Sequence, residues 1–250
     1  MLASVGIGSA KVDTKLEKSR YTAGEIIRGN VEVTGGNTAQ DVDCIYLTLY
    51  TTYIREANDT KYTDTAAICK FKVSEPFTIG AGEKKAIPFS FEIPHTTPVT
   101  AGKTRIWVQT ELDIKMAVDP TDKDFIEVNA SPLANEVLGA VKRLGFRLRE
   151  VECEKAPLRL STPHVFIQEF EFTATNPTYR RHLDELEVTF INQSADRIEV
   201  LLQIDRRARG LGSFLSEALD MDESFVQLTF TDRDVLSIES TLKQTIERYM

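Results

Sequence analysis

Apolar and polar residues alternate along most of the first half of the chain, which is the period of a half-buried β-strand. The alternation is clear in Ile27, Val31 and Val33, between the turn Ala23-Gly24-Glu25 and the pair Gly35-Gly36. Similar apolar sets follow: Ile45, Leu47 and Leu49; Cys69, Phe71 and Val73; Ile87, Phe89, Phe91 and Ile93; Ile106, Val108, Leu112, Ile114 and Met116. Short alternating strands separated by Gly, Pro and Asp predict an antiparallel β-sandwich.

The spacing of apolar residues changes after Asn129. Helical spacing relates Leu133, Val137, Leu138, Val141 and Leu144. The preceding Ser131-Pro132 is a suitable start for a helix. A domain boundary is therefore predicted here, with residues 1–129 forming one β-sandwich and residues 130–250 a second.

Strand-like alternation resumes in the second half. Two apolar sets are clear: Leu186, Val188 and Phe190; Ile198, Val200, Leu202 and Ile204. The alternation changes phase near Glu150, which indicates a β-bulge. The chain closes with a predicted helix, capped by Asp232 or Asp234. The predicted fold class is all-β: two sandwiches in tandem, with a short helix after the linker and a carboxyl-terminal helix.

Composition and charge narrow the functional classes. The chain is 42% hydrophobic and 27% charged, with a net charge of −8, which is typical of a soluble globular protein and unlike a nucleic-acid binder. No apolar run approaches the ~20 residues of a membrane span. The apolar amino terminus lacks the basic start of a signal peptide. Three widely spaced cysteines, Cys44, Cys69 and Cys153, predict reduced thiols and a cytoplasmic protein.

Motifs for catalysis or cofactor binding are absent from the sequence. There is no phosphate-binding loop, nucleophile elbow or zinc-protease motif. The three histidines, His95, His164 and His182, lie in separate segments without ligand spacing. The acidic pairs Glu111/Asp113 and Asp220/Asp222 could bind Ca²⁺, but solvated carboxylates are the favoured interpretation. We therefore predict no enzymatic activity, no cofactor and no metal.

Two features are candidates for partner binding. Arg206, Arg207 and Arg209 precede an amphipathic stretch containing Phe214 and Leu215. Such a segment can hold an anionic surface or an acidic partner, although a solvated loop with a helix packed on its own sandwich is the favoured alternative. Trp107, the single tryptophan, falls on the polar phase of its strand. It is either an anchor at an interface or a residue packed under a loop.

Four segments together resemble the amino-terminal domain of arrestins. They are YTAGEIIRGNVEV (21–33), IYLTLYTTY (45–53), IGAGEKKAIPFSFEIP (79–94) and TRIWVQTELDI (104–114). The similarity covers residues 12–128, and Ala23 stands where arrestins commonly have Pro. A narrower resemblance, to the arrestin-like bacterial sporulation-control family of the SpoOM type, covers essentially the whole chain. It rests on residues 2–14 (LASVGIGSAKVDT) and 201–223 (LLQIDRRARGLGSFLSEALDMDE).

The family resemblance implies a hinged pair of β-sandwich domains without enzymatic activity. It also implies a role in timing early sporulation and cell division, with cytoskeletal or signalling proteins as partners. Relatives begin with a basic and aromatic segment, so a shortened amino terminus is expected here. Arrestins join their domains through buried charged groups. By that analogy Arg28, Arg105, Glu111 and Asp113 would form polar contacts between domains, with exposed ion pairs as the alternative.

The function predicted from the sequence is that of a non-enzymatic scaffold or adaptor that regulates early sporulation by binding proteins. Recognition would use strand edges, the domain interface and the loop from Arg206 to Leu219, and edge strands would also permit homo-oligomers. The alternative is a peripheral membrane or trafficking-type adaptor, which the arginines favour and the acidic net charge opposes. A third hypothesis is a β-sandwich hydrolase, which would show a clustered pair of acids, or a glycan-binding module, which would show an exposed aromatic platform. The sequence offers only Trp107 and scattered tyrosines toward such a platform, so this hypothesis is disfavoured.

Overall fold

The computed structural model describes residues 10–58, 60–114, 119–158, 160–206 and 225–249. Residue contacts divide the chain into two compact units. Unit 1 comprises Met1–Thr51, Thr65–Thr97 and Arg105–Asn129, and unit 2 comprises Thr52–Asp64, Pro98–Thr104 and Ala130–Met250.

Strands dominate the described residues, which confirms the predicted β class. Unit 1 contains all or part of nine described strands: β1 (Lys11–Leu16), β2 (Arg20–Thr22), β3 (Ile26–Thr34), β4 (Gln40–Ala57), β5 (Thr60–Lys72), β6 (Phe77–Ile79), β7 (Lys84–Glu92), β8 (Ile106–Ile114) and β9 (Thr121–Asn129). Unit 2 contains β10 (Phe146–Lys155), β11 (Phe166–Ala174), β12 (Leu183–Gln193), β13 (Arg197–Arg206) and β14 (Phe225–Thr231). Its helices are α1 (Pro132–Arg143), α2 (Pro177–Arg180) and α3 (Ile238–Arg248), with a 3₁₀ turn at Asp232–Asp234.

Unit 1 is built from two layers of strands around one core. One sheet has the order β1-β3-β7, and the other has the order β4-β8-β9-β2, with β5 and β6 also pairing with β4. Residues of the predicted apolar phase, such as Val31 on β3 and Leu47 on β4, are fully buried in the same cluster. The alternation therefore identifies the inward faces of both layers.

The turn before β3 depends on Gly24. This residue has φ +87°, a conformation that side chains with a Cβ rarely adopt. The Gly24 amide donates to the carbonyl of Ile93, and the Glu25 amide donates to the carbonyl of Thr22, both at 2.9 Å. These bonds fix the start of β3 beside the end of β7.

Gly29 allows two strands and an aromatic ring to meet. It pairs with Leu16 of β1 and with Phe89 of β7. A Cβ at this position would clash with the backbone carbonyl of Lys15 and would lie 2.8 Å from Cζ of Phe89. The glycine of the sequence motif is therefore a packing requirement of the three-stranded sheet.

Unit 2 contains one antiparallel sheet in the order β14-β13-β12-β11-β10. Its first face, with Phe172, Val188 and Val200, shares a hydrophobic core with helices α1 and α3. We call the opposite side of this sheet the second face. Because helices, not a second sheet, cover the first face in the described part of the chain, the predicted second β-sandwich is not confirmed. The predicted helix after Ser131 and the predicted carboxyl-terminal helix are both present.

Local signals near the helices and the bulge have mixed outcomes. Ser131 caps α1 by accepting a hydrogen bond from the Ala134 amide. The predicted irregularity near Glu150 is confirmed as a register shift between Leu148 and Glu150. The predicted cap of the last helix is wrong, because α3 begins after Ser237 and Asp234 instead accepts from the Thr231 amide at 2.8 Å.

Replacing Gly29 by Ala is expected to destabilise the protein. The added methyl group forces β1 or Phe89 to move, which should lower the free energy of unfolding by about 1–3 kcal/mol in urea titrations.

The matched control is Gly139→Ala in helix α1, where the new Cβ would meet only the flexible end of Arg143 at 3.2 Å. The free energy of unfolding of this variant should rise by about 0.5–1 kcal/mol, because Ala has a higher helix propensity than Gly. Equal effects of the two substitutions would contradict the packing role of Gly29.

Candidate recognition surfaces

Three aromatic residues lie side by side on the outward side of unit 1. Trp107 on β8 is directly opposite Tyr50 on β4 and Phe125 on β9. The rings of Tyr50 and Trp107 stack with centroids 5.6 Å apart, and those of Trp107 and Phe125 tilt at 50° with centroids 5.9 Å apart. With Lys123, these residues form what we call the aromatic face.

Exposure and charge differ sharply across the aromatic face. Trp107 is only 4% exposed, whereas the neighbouring Phe125 is 58% exposed. The ammonium of Lys123 lies 3.8 Å from the centroid of Trp107 and 4.8 Å from that of Phe125. The buried Trp107 ring thus contacts both an exposed apolar ring and an exposed cation.

A second cation–π contact extends along the same sheet. Lys70 lies 4.1 Å from the ring centroid of Tyr46 and forms an ion pair with Glu111 at 3.4 Å. Gln109 donates from Nε2 to Oε1 of Glu111 at 3.1 Å. These contacts order the polar side of β8, although exposed ion pairs contribute little stability.

The four residues predicted to join the domains all lie in unit 1. Arg28, Arg105 and Asp113 are exposed, and Glu111 is half-buried beside Lys70. Asp113 accepts a hydrogen bond from the thiol of Cys44. A role of these residues in interdomain contacts stays a prediction.

Most of the predicted basic loop lies outside the described residues. Arg207, Arg209, Phe214 and Leu215 are not described, and Arg206 is described only as the last residue of β13. The proposal that this segment holds an anionic partner therefore rests on the sequence.

One oxygen of an inward-facing carboxyl of unit 1 lacks a hydrogen-bond partner in the described part of the chain. Oδ2 of Asp124 on β9 is buried and unpartnered among the described residues. Burial, reinforced by the carboxylates of Asp122 and Asp13, raises the pKa of Asp124 to about 6. Its neighbour Asp122 accepts a hydrogen bond from the Thr14 amide at 2.6 Å. Ionised Asp124 is therefore an electrostatic cost to the fold.

The second face of unit 2 carries glutamates on three neighbouring strands. They occupy alternate positions on β10 (Glu150, Glu152, Glu154), β11 (Glu169, Glu171) and β12 (Glu185, Glu187). Burial, followed by the charges of Glu185 and Glu154, raises the pKa of Glu187 to about 7. Burial and the nearby Glu187 raise the pKa of Glu169 well above its usual range.

Positive charges reach this face from the bulge and from a loop. The bulge residue Arg149 forms ion pairs with Glu171 and Glu185. Lys103 contacts Glu152 at 2.6 Å and Glu150 at 3.6 Å. The bulge thus directs an arginine onto a face that would otherwise collect negative charge.

Two of the described thiols, those of Cys69 and Cys153, are poor nucleophiles. Burial raises the pKa of Cys69 and of Cys153 to about 12, which leaves both as neutral thiols at physiological pH. Among the described residues, the one group of three side chains that could hold a metal ion is Glu171, Glu185 and Glu187. Within the same part of the chain, no helix is long and apolar enough to cross a bilayer.

Comparison with protein families gives a match over most of the chain. The model described as SpoOM protein matches residues 1–208. The chain belongs to the SpoOM protein family.

Known relatives of this SpoOM family member agree with the match. The Sporulation-control protein spo0M of Bacillus subtilis (strain 168) is 42% identical over 253 residues, spanning 100% of this chain and 97% of that protein. The crystal structure of Spo0M, sporulation control protein, from Bacillus subtilis is similar with a TM-score of 0.90 and 41% identity. That match covers 98% of this chain and 100% of the solved chain.

Sequence reasoning missed Tyr50, Phe125 and Lys123 beside Trp107, and the glutamates of the second face. Phe125 and Trp107 become neighbours only through strand pairing, so no local pattern indicates their contact. The glutamates did leave a signal, since they recur with a period of two in residues 150–154, 169–171 and 185–187. That period places them on one side of each strand.

Replacing Asp124 by Asn is expected to stabilise this SpoOM family member in a pH-dependent way. The folded-state pKa of about 6 exceeds the ordinary value of 3.8, so ionisation of Asp124 destabilises the wild type as pH rises between these values. The variant's advantage in unfolding free energy should be absent near pH ~3.5 and reach about 1 kcal/mol above pH ~7, after allowance for partial solvent screening.

The control for this titration is Asp41→Asn, which removes an exposed carboxylate of the same unit. In urea unfolding at several pH values, the unfolding free energy of this variant should change with pH in the same way as that of the wild type. An Asp124→Asn advantage that is constant with pH would show that the carboxyl is not the cause.

Proposed function

We propose that this protein regulates sporulation as a non-enzymatic, arrestin-like scaffold that binds other proteins. Membership of the SpoOM family and 42% identity to a protein named for sporulation control support the biological role. Its partners would be proteins of sporulation signalling, cell division or the cytoskeleton. The mechanism is recognition of a partner by the aromatic face of unit 1.

The half-exposed ring of Phe125 is the observation that carries this mechanism. Aromatic side chains supply much of the binding energy at protein interfaces, because a large apolar area is buried at a small cost in side-chain entropy. Phe125 packs beside Trp107 with the two rings tilted at 50°, and Trp107 is itself stacked on Tyr50. The ring is thus held in place before the partner arrives, which reduces the ordering cost of binding.

Lys123 defines the chemistry of the partner segment. Its ammonium lies over both the Trp107 ring and the Phe125 ring, and the side chain is exposed. A partner that places an apolar side chain on Phe125 and a carboxylate near Lys123 would satisfy both groups. The binding segment is therefore expected to combine acidic and apolar residues.

Substitution of Phe125 by Ala is expected to release the partners. Purification of the intact protein and the variant from native-cell lysate, with quantitative mass spectrometry, should show proteins that only the intact form retains. For a purified partner, the loss of about 2 kcal/mol typical of an interface anchor corresponds to roughly thirtyfold weaker binding. Because Trp107 is the single tryptophan, its fluorescence reports binding at this face.

Tyr62→Ala provides the matched control. Tyr62 is also an exposed aromatic ring with a cation above it, since Arg55 lies 5.2 Å from its centroid in unit 2. The control should retain every partner, and both variants should keep the far-ultraviolet circular dichroism of the wild type. Unchanged partners with Phe125→Ala would refute recognition by the aromatic face.

A third variant separates this mechanism from the basic loop. It carries Arg206→Glu, Arg207→Glu and Arg209→Glu together. Loss of partners only in this variant would place recognition on that loop and contradict the present proposal. Flotation of the intact protein with anionic vesicles, but no protein partner, would instead support the membrane adaptor.

A further inference from the structure

Among the described residues, the second face of unit 2 contains two buried oxygen atoms that lack hydrogen-bond donors. Gln203 on β13 is 8% exposed, and its Oε1 is buried without a partner among the described residues. Oε1 of Glu169 on β11 is also buried and unpartnered in this part of the chain. Buried acceptors are normally satisfied, so each such atom calls for a physical explanation.

Strand pairing brings these oxygens to a cluster of carboxylates. Glu187 on β12 lies directly opposite Glu171 on β11 and directly opposite Gln203 on β13. Residues opposite each other in antiparallel strands project on the same side with Cβ atoms about 5 Å apart. Gln203 therefore faces the same space as Glu187 and Glu171.

The carboxylates converge closely enough to share one ion. Glu171, Glu185 and Glu187 each have an oxygen within 4.8 Å of those of the other two. Oxygens on opposite sides of a Ca²⁺ ion lie about 5 Å apart, because each Ca–O distance is about 2.4 Å. The geometry thus fits a single cation between the three side chains.

Protein cations satisfy only part of this cluster. Arg149 contacts Oε1 of Glu171 and Oε1 of Glu185, and each of these carboxylates has a second oxygen besides the one that the arginine contacts. Glu187 forms no ion pair within the described ranges. A bound cation beside Glu187 would therefore supply the positive charge that no described side chain brings to this carboxylate by an ion pair.

We propose that Glu171, Glu185, Glu187 and Gln203 bind one hard divalent cation of the Ca²⁺ type, with Glu169 beside the site. All of these donors are oxygens, a set that suits Ca²⁺, Mg²⁺ or Mn²⁺ and disfavours metals that prefer nitrogen or sulfur. Ca²⁺ is the expected ion, because it accepts amide carbonyls and irregular geometry more readily than Mg²⁺. The bound ion would join β11, β12 and β13 by ligands from all three strands.

Calorimetric titration of the full chain tests the site. After treatment with EDTA and its removal, the protein is titrated separately with CaCl₂, MgCl₂ and MnCl₂. One Ca²⁺ should bind per chain, and the melting temperature should rise by about 5 °C or more when free Ca²⁺ is ~100 times the dissociation constant. No heat and no thermal shift with any of the three ions at millimolar concentration would overturn the proposal.

Substitutions separate the site from general attraction to an acidic surface. Glu187→Gln should weaken Ca²⁺ binding by about tenfold or more, because ligand charge sets affinity in such sites. Its metal-free form should melt no lower than the wild type, since the change removes a repelled carboxylate. Gln203→Met preserves the side-chain volume but removes the amide oxygen, so it should also weaken Ca²⁺ binding. This second variant tests the site independently if Glu187→Gln fails to fold.

Glu199→Gln is the matched control on β13. Glu199 accepts from Asn192 and Arg197, and the substitution removes the same charge outside the cluster. This variant should bind Ca²⁺ as the wild type does. Equal affinity of the Glu187→Gln and Glu199→Gln variants would show diffuse surface binding and refute the site.

Discussion

Backbone pairing in the sheets forces neighbouring side chains of each strand to opposite faces, and the rest of the structure depends on this constraint. In unit 1 the side chains on one face of the strands, including Ile27, Leu47 and Val108, form a buried core. In unit 2 the corresponding phase packs against helices α1 and α3. The stability of each unit comes chiefly from this buried phase, which leaves the other phase of the same strands available for recognition.

The other phase has a different chemistry in each unit. In unit 1 it holds stacked aromatic rings under a lysine, an arrangement that favours contact with apolar and acidic groups. In unit 2 it gathers carboxylates whose burial raises the pKa of Glu187 to about 7. Crowded carboxylates oppose folding unless cations offset them, and among the described residues Arg149 forms ion pairs with Glu171 and Glu185 of this cluster. Neither arrangement is needed to close a core.

The sequence is informative wherever a local pattern determines the structure. Alternation predicts the buried residues of β3 and β4, Ser131-Pro132 predicts the start of α1, and a phase break predicts the bulge beside Glu150. Contacts between distant strands have no such pattern, so the position of Phe125 opposite Trp107 was not predicted. The helices that close the core of unit 2 were predicted, but their packing on the sheet was not, and a second sandwich was expected for that reason.

Photo-crosslinking in sporulating cells of the native host tests the central claim most directly. A benzophenone amino acid replaces Phe125 in one form of the protein and the control residue Tyr62 in another. Recognition by the aromatic face predicts a discrete protein crosslinked from position 125 and absent from position 62, at equal abundance of the two forms. Crosslinks from position 62 alone, or from neither position, would contradict a partner-binding role for this face.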